Sequence, residues 1–219
     1  TSLQPPLEPT EEGQRHWTQL RVVYSPTLGY ARVDSEVAGI VRTAIDALEG
    51  VDFVEKVCDD PAEILATEFI GGCSARLGDA IERSPERIDP PLLSAIEEFR
   101  RRSAADVMRV LRARAHFREH MHQFFEKVDV LLTPTTPSAA WAIGRGVPPG
   151  LEDAKAWVFF TYPFNLTGQP AASIPCGWTR EGLPVGLQVV VKPGQEALLV
   201  RVLGLIEKKL GIEARRPVI

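Results

Sequence analysis

Arg21-Val22-Val23-Tyr24, then Asp34-Ser35-Glu36-Val37-Ala38-Gly39-Ile40-Val41-Arg42-Thr43-Ala44-Ile45-Asp46-Ala47-Leu48-Glu49-Gly50, then Phe53-Val54-Glu55-Lys56-Val57: the reading of this stretch decides the fold. The first run is short, β-branched and aromatic, and reads as a strand. A loop through Pro26 and Gly29 follows it. Asp34 offers a side-chain oxygen as an N-cap, and Val37, Ile40, Val41, Ala44, Ile45 and Leu48 recur at helical spacing until Gly50 stops the helix. Phe53 to Val57 reads as the next strand. Strand, amphipathic helix and strand within about 35 residues form a βαβ unit, whose crossover requires the two strands to run parallel.

The region beyond is helical. From Leu92 to Thr133 there is neither Gly nor Pro, and Ser103-Ala104-Ala105-Asp106 resembles a capping box that divides the stretch into two helices. The second helix turns Val107, Val110, Leu111, Phe117, Met121, Phe124 and Phe125 inward and Arg109, Arg112 and Arg118 to solvent. Val128-Asp129-Val130-Leu131-Leu132 reads as a strand ended by Thr133-Pro134-Thr135-Thr136-Pro137. After a Pro- and Gly-rich loop (Gly144 to Gly150), a helix is expected from Glu152 toward Tyr162. Two strands, Ala171–Cys176 and Val185–Val191, are joined by a turn containing Glu181-Gly182. A last amphipathic helix spans Gln195 to Leu210, with Leu198, Leu199, Val202, Leu205 and Ile206 inward. The class is α/β: one mixed sheet flanked by helices, a single domain over residues 1–219.

Composition narrows the function. The 219 residues carry 25 Lys and Arg against 29 Asp and Glu, a net charge of −4, with 44% hydrophobic residues. Mean hydropathy is −0.05 and the pI about 5.7, values of a folded chain rather than a disordered one. An acidic chain does not suit nucleic acid or an anionic membrane as its main partner. No apolar run approaches the roughly 20 residues that span a bilayer, and Thr1 to Thr10 lacks the basic start and apolar stretch of a signal peptide. Cys58, Cys73 and Cys176 form an odd, widely spaced set that suits a reducing compartment, so a cytoplasmic protein is expected. With no initiating Met and a proline-rich start, the chain is expected to be a fragment of a longer protein.

Three patterns compete for the chemistry. His116-Phe117-Arg118-Glu119-His120 matches the H-x-x-E-H of inverzincin peptidases, in which histidines one helical turn apart bind zinc and the glutamate is the base. No downstream acidic cluster offers a third ligand, and the surrounding helix is rich in arginine, so a solvated helix face explains these residues better. Gly71-Gly72-Cys73-Ser74 resembles a turn presenting a nucleophile, with His116, His120 or His122 as a base for Cys73. Its flanks look helical and no strand precedes it, which favours a buried, inert thiol. Near the C-terminus, Phe164-Asn165-Leu166-Thr167-Gly168-Gln169-Pro170-Ala171-Ala172-Ser173-Ile174-Pro175-Cys176-Gly177 and Gly182-Leu183-Pro184-Val185-Gly186-Leu187-Gln188 read physically as a helix end, a tight turn and two buried strands bracketed by Pro and Gly.

These last two segments, with Asp129-Val130-Leu131-Leu132-Thr133-Pro134-Thr135-Thr136-Pro137, resemble the C-terminal half of the amidase signature family in order, spacing and wording. The resemblance runs from Thr1 to the last helix. It implies the C-terminal portion of the amidase signature fold and, for the parent protein, hydrolysis of a carboxamide by a Ser–cis-Ser–Lys triad. All of those groups belong to the family's upstream half. Gly71-Gly72-Cys73-Ser74-Ala75-Arg76 departs from the family's Gly-Ser loop after the glycines and lies in the wrong region. None of Lys56, Lys127, Lys155, Lys192, Lys208 or Lys209 falls in the motif of the catalytic lysine. No catalytic residue, metal ligand or cofactor carries over, and the chain is expected to be inactive by itself.

What the resemblance leaves for this chain is scaffold and one wall of the substrate cleft. The loop after Thr133–Pro137 and the helix before Asn165 contribute Trp141, Trp157, Val158, Phe160 and Tyr162 as the expected substrate-binding residues; packing of the aromatics in the core is the other reading. Glutamyl-tRNA amidotransferase A subunits resemble the same stretch but carry an acid where alignment on Thr161, Pro163 and Asn165-Leu166 places Val158. An apolar side chain offers no partner to an ammonium, so an uncharged or apolar amide is expected in preference to glutamine. The expected partners are that small amide and the missing N-terminal half, and an isolated chain is expected to pair or self-associate over the face left bare. A non-enzymatic subunit or binding module that kept the scaffold is the alternative of a different class.

Overall fold

The computed structural model describes residues 16–148, 150–151 and 156–212. They fall into two compact units. One contains residues 16–60 and 121–212 and carries the sheet; the other, Pro61–His120, is helical.

In the sheet unit, strands β1 (Val22–Tyr24), β2 (Val51–Phe53), β3 (Val130–Pro134), β4 (Ala171–Trp178) and β5 (Pro184–Val191) lie in the order β2-β1-β3-β5-β4. β1 is parallel to both β2 and β3, as the βαβ reading requires, while β5 is antiparallel to β3 and to β4. The sheet is therefore mixed. Its first crossover is α1 (Ser35–Asp46), where the Asp34 carboxylate accepts the Glu36 and Val37 N–H groups at 2.9 and 3.2 Å. The last helix, α6 (Glu196–Leu210), ends at Gly211 in the left-handed region.

Strand alternation divides the sheet into two faces. Val22, Tyr24, Val130, Leu132, Leu187, Val189, Val191 and Ile174 share one face and join Val37, Val41 and Ile45 of α1 and Leu198, Val202 and Ile206 of α6 in a continuous core. Leu205, expected inward, is only half-buried. Val23, Leu131, Thr133, Gln188, Val190, Ala171 and Ser173 point to the other face.

Three elements differ most from the sequence reading. β2 starts at Val51 rather than Phe53, because its ladder is limited to the three residues of β1; past Phe53 the chain bends, and the Val57 and Cys58 N–H groups both bind the Leu28 carbonyl. β3 occupies Val130–Pro134 rather than Val128–Leu132. Asp129 is held out of the ladder by Arg21, and pairing with β5 carries the strand on to Pro134. For the helix expected over Glu152–Tyr162, positions 152–155 lie outside the described residues. Ala156–Val158 make one 3-10 turn, and α5 runs from Tyr162 to Thr167, where the expected helix would have ended. Pro163 in its first turn lacks an N–H that the helix would not have used.

The helical unit contains α2 (Ala62–Arg83), α3 (Pro90–Arg100) and most of α4 (Ala104–Lys127). The capping box forms: Ser103 Oγ accepts the Asp106 N–H at 3.1 Å, and the Asp106 carboxylate accepts the Ser103 N–H at 3.3 Å. The Ser103 hydroxyl also holds the Asp106 carboxyl below its ordinary range. Arg109, Arg112 and Arg118 are exposed, as the periodicity predicted.

Leu132 is fully buried on the core face of the central strand. Leu132→Ala is expected to lower unfolding stability by about 2–5 kcal/mol, measured as a shifted urea midpoint with unchanged slope.

Candidate functional site

The carboxyl ends of β1 and β3 are where a sheet with parallel strands exposes its loops, and here the second face of the sheet turns polar. Gln188 is a polar residue in a strand of valines and leucines. Its Nε2 donates to Thr133 Oγ1 at 3.0 Å and to the Phe160 carbonyl at 2.7 Å, with Gln188 and Thr133 both buried. One side-chain amide thus ties the segment before α5 to the sheet. Close to it, the Tyr30 hydroxyl donates to the Phe159 carbonyl at 2.6 Å and its ring stacks on Tyr162, centroids 6.4 Å apart. The Tyr162 hydroxyl donates to Asp60 Oδ1. α5 closes on Gly168, whose left-handed φ of 83° lets its N–H bind the Phe164 carbonyl at 2.7 Å.

The five expected pocket residues separate into two groups. Phe160 and Tyr162 are interior, 0% and 2% exposed. Their burial goes with the Gln188 and Tyr30 contacts that draw this segment into the fold. Trp157 is 50% exposed. Val158 is half-buried, and its carbonyl accepts the Thr161 N–H at 2.9 Å and the Thr161 hydroxyl at 3.1 Å. Trp141 is half-buried in the loop after β3 and donates from Nε1 to the Arg145 carbonyl at 2.7 Å. No ring contact among the described residues joins Trp141 or Trp157 to the Tyr30–Tyr162 stack.

At the rim lies an open cleft of about 270 Å³ that includes Thr135, Ser173, Pro175, Pro184 and Gly186. Thr135 Oγ1 and Ser173 Oγ are 2.7 Å apart. Neither this hydroxyl pair nor the Gln188 strut is apparent from sequence reading, although an isolated Gln in an apolar strand is a signal for a buried polar contact.

The other motifs resolve locally. Gly71 and Gly72 lie inside α2, and a Cβ at Gly71 would stand 2.8 Å from Phe99 Cζ, so this glycine lets α3 approach rather than presenting a nucleophile. Cys73 is a free, half-buried thiol in that helix. His116, Glu119 and His120 are exposed on α4, and among the described residues no three His, Cys, Asp or Glu side chains converge as a metal site. Burial pushes the Cys58 and Cys176 thiols up to about 12.

The five-stranded mixed sheet with its flanking helices defines the class as an α/β domain. The Amidase family model matches residues 1–200. The chain is 31% identical over 194 residues to an acylamidase of Rhodococcus erythropolis, covering 83% of this chain and 40% of that protein. It is 30% identical over 207 residues to a fatty acid amide hydrolase of Medicago truncatula, covering 90% of this chain and 34% of that one. The glutamyl-tRNA(Gln) amidotransferase A subunit of Myxococcus xanthus is 39% identical over 105 residues, covering 48% of this chain and 21% of its own. The solved structure of 6-aminohexanoate cyclic dimer hydrolase shares the fold, with a TM-score of 0.75 at 24% identity over 94% of this chain and 48% of that one. The chain belongs to the amidase family, and it spans less than half the length of these relatives.

Gln188→Leu leaves the Phe160 carbonyl without its donor and is expected to cost about 1–3 kcal/mol in stability, read by thermal unfolding. The pH dependence follows from the three tyrosines, which are all the chain has. Burial raises Tyr24 to about 12 and lifts Tyr30 and Tyr162 further. The native chain therefore keeps protons that the unfolded chain releases near about pH 10. Their stabilising contribution is complete below that pH and is lost as pH rises through the native values. Tyrosinate absorbance is expected to stay flat past about pH 10 and to rise only near Tyr24's value or with unfolding; a full transition at the ordinary value in folded protein would contradict it.

Proposed function

We propose that this chain is the C-terminal part of an amide hydrolase, supplying scaffold and one wall of the substrate cleft to a catalytic half that lies upstream in a longer polypeptide. The observation that carries the reading is the coverage: the family model accounts for residues 1–200, yet the match spans only 40% of the acylamidase. The chain also lacks the Gly-Ser loop and the lysine motif that the family resemblance requires for a Ser–cis-Ser–Lys triad. The chain by itself then binds amides without cleaving them, in a cytoplasmic protein.

The wall is formed by Trp157 and Val158, with Trp141 from the loop after β3, and backed by Phe160 and Tyr162. Half-buried and apolar, Val158 has no charge to offer a substrate ammonium. The substrate is therefore an uncharged or apolar amide rather than glutamine. Among the described residues β4 is an edge strand, and that edge is available to the upstream half or to a second copy.

The test is expression with and without the upstream coding sequence, followed by hydrolysis of an acyl anilide and of glutamine. The 219 residues are expected to show no turnover, and the longer polypeptide to cleave the anilide faster than glutamine. Val158→Asp is expected to shift that preference toward glutamine by about tenfold, the worth of one modest charge contact. Turnover by the 219 residues, or faster glutamine hydrolysis by the longer form, would refute the reading.

A further inference from the structure

The hydroxyl pair at the rim cleft is built more rigidly than a surface contact requires. Thr135 follows β3 and Ser173 lies in β4, and either hydroxyl can donate across the 2.7 Å between them. Thr135 is fixed by its N–H, which donates to the Gly186 carbonyl at 2.9 Å, and Ser173 by its place in the β4–β5 ladder opposite Gln188. Gly186 forms the floor. A Cβ there would stand 2.7 Å from both hydroxyl oxygens, so any side chain would break the pair or fill the cleft. Thr136 does not compete, because its hydroxyl donates to the Ser138 carbonyl at 2.9 Å.

Whichever hydroxyl donates within the pair, the other keeps its O–H proton for another acceptor, together with free lone pairs. That is one donor beside one acceptor. Among the described residues none that lines the cleft carries a charge, and Pro175 and Pro184 make its sides apolar. We infer that this cleft is a binding subsite for a neutral carboxamide. The carbonyl oxygen of the ligand accepts the spare hydroxyl proton, its N–H donates to the neighbouring hydroxyl oxygen, and its apolar group lies against the prolines. A carboxylate has no N–H to donate to the acceptor oxygen of the pair, so the cleft discriminates amide from acid. This inference rests on the amide-hydrolase reading and adds to it the residues that tell the substrate's amide from the acid it becomes.

Benzamide and benzoate, equal in shape and different in charge, are the probes. In a nuclear magnetic resonance titration of the isotope-labelled 219-residue chain, benzamide is expected to shift the amide signals of Thr135, Ser173 and Gly186. Benzoate is expected to bind at least about tenfold more weakly, and Thr135→Val and Ser173→Ala each to weaken benzamide by about fivefold, one hydrogen bond's worth. Ser173 is exposed, so its alanine variant keeps the test sound if the Thr135 variant disturbs β3. Benzamide shifts elsewhere or nowhere, equal binding of benzoate, or full affinity in Ser173→Ala would overturn the subsite. Amide hydrolysis by the longer polypeptide with no benzamide at this cleft would remove the subsite alone. Benzamide held here with no hydrolysis by the longer form would remove the proposed function alone.

Discussion

The fold depends on how β3 is held against β1. Asp129, buried at the entrance to β3, accepts the Arg21 N–H at 2.8 Å and the Arg21 guanidinium on both carboxylate oxygens, at 3.1 and 2.9 Å. Arg21 also reaches the Glu126 carbonyl at the end of α4, at 2.9 Å. A two-pronged, charge-assisted contact of this kind sets direction as well as distance. It places the residue before β1 opposite the residue before β3, so Val22, Val23 and Tyr24 meet Val130, Leu131 and Leu132 in register. A slip of one residue would turn every apolar side chain of β3 to the wrong face.

Once β3 is placed, the rest of the sheet is constrained in two directions. On one side the chain is parallel and needs the α1 crossover; on the other, β5 and β4 return as an antiparallel pair through the turn at Gly182. α1 and α6 cover one face with aliphatic side chains. The opposite face has to satisfy the polar groups of Thr133 and Gln188, and it does so by capturing the Phe160 carbonyl. That capture puts Phe160 and Tyr162 in the interior and leaves Trp157 exposed. The division between buried and exposed aromatics thus goes with the Gln188 and Tyr30 contacts together. At the rim of the sheet stands the Thr135–Ser173 pair, where the bare backbone of Gly186 leaves room for two hydroxyls to meet.

Much of this was legible in the residues. The Asp34 cap, the α1 periodicity, the Ser103–Asp106 box and the last helix depend on interactions within a few positions, the β4–β5 hairpin pairs across one turn, and each formed where its signal lay. Family membership was legible for a similar reason, since the wording of the β3 end and of the β4–β5 hairpin is contiguous. Strand ends were less so. β3 moved by two residues, and β2 starts two and ends four residues earlier, because a strand's length is set by its partner, which local sequence does not contain.

The sequence alone determined the class of the chain, the parallel pairing that its βαβ unit requires, its family and the absence of that family's catalytic motifs from these residues. These follow from periodicity, capping and motif wording, all of which act over short separations. Only the tertiary structure decided which aromatics are buried, that Gln188 binds Phe160, and that Thr135 meets Ser173. Those pairs are 28 and 38 residues apart. They exist only after strand register and side-chain face have been chosen, and that choice is made by packing across the sheet.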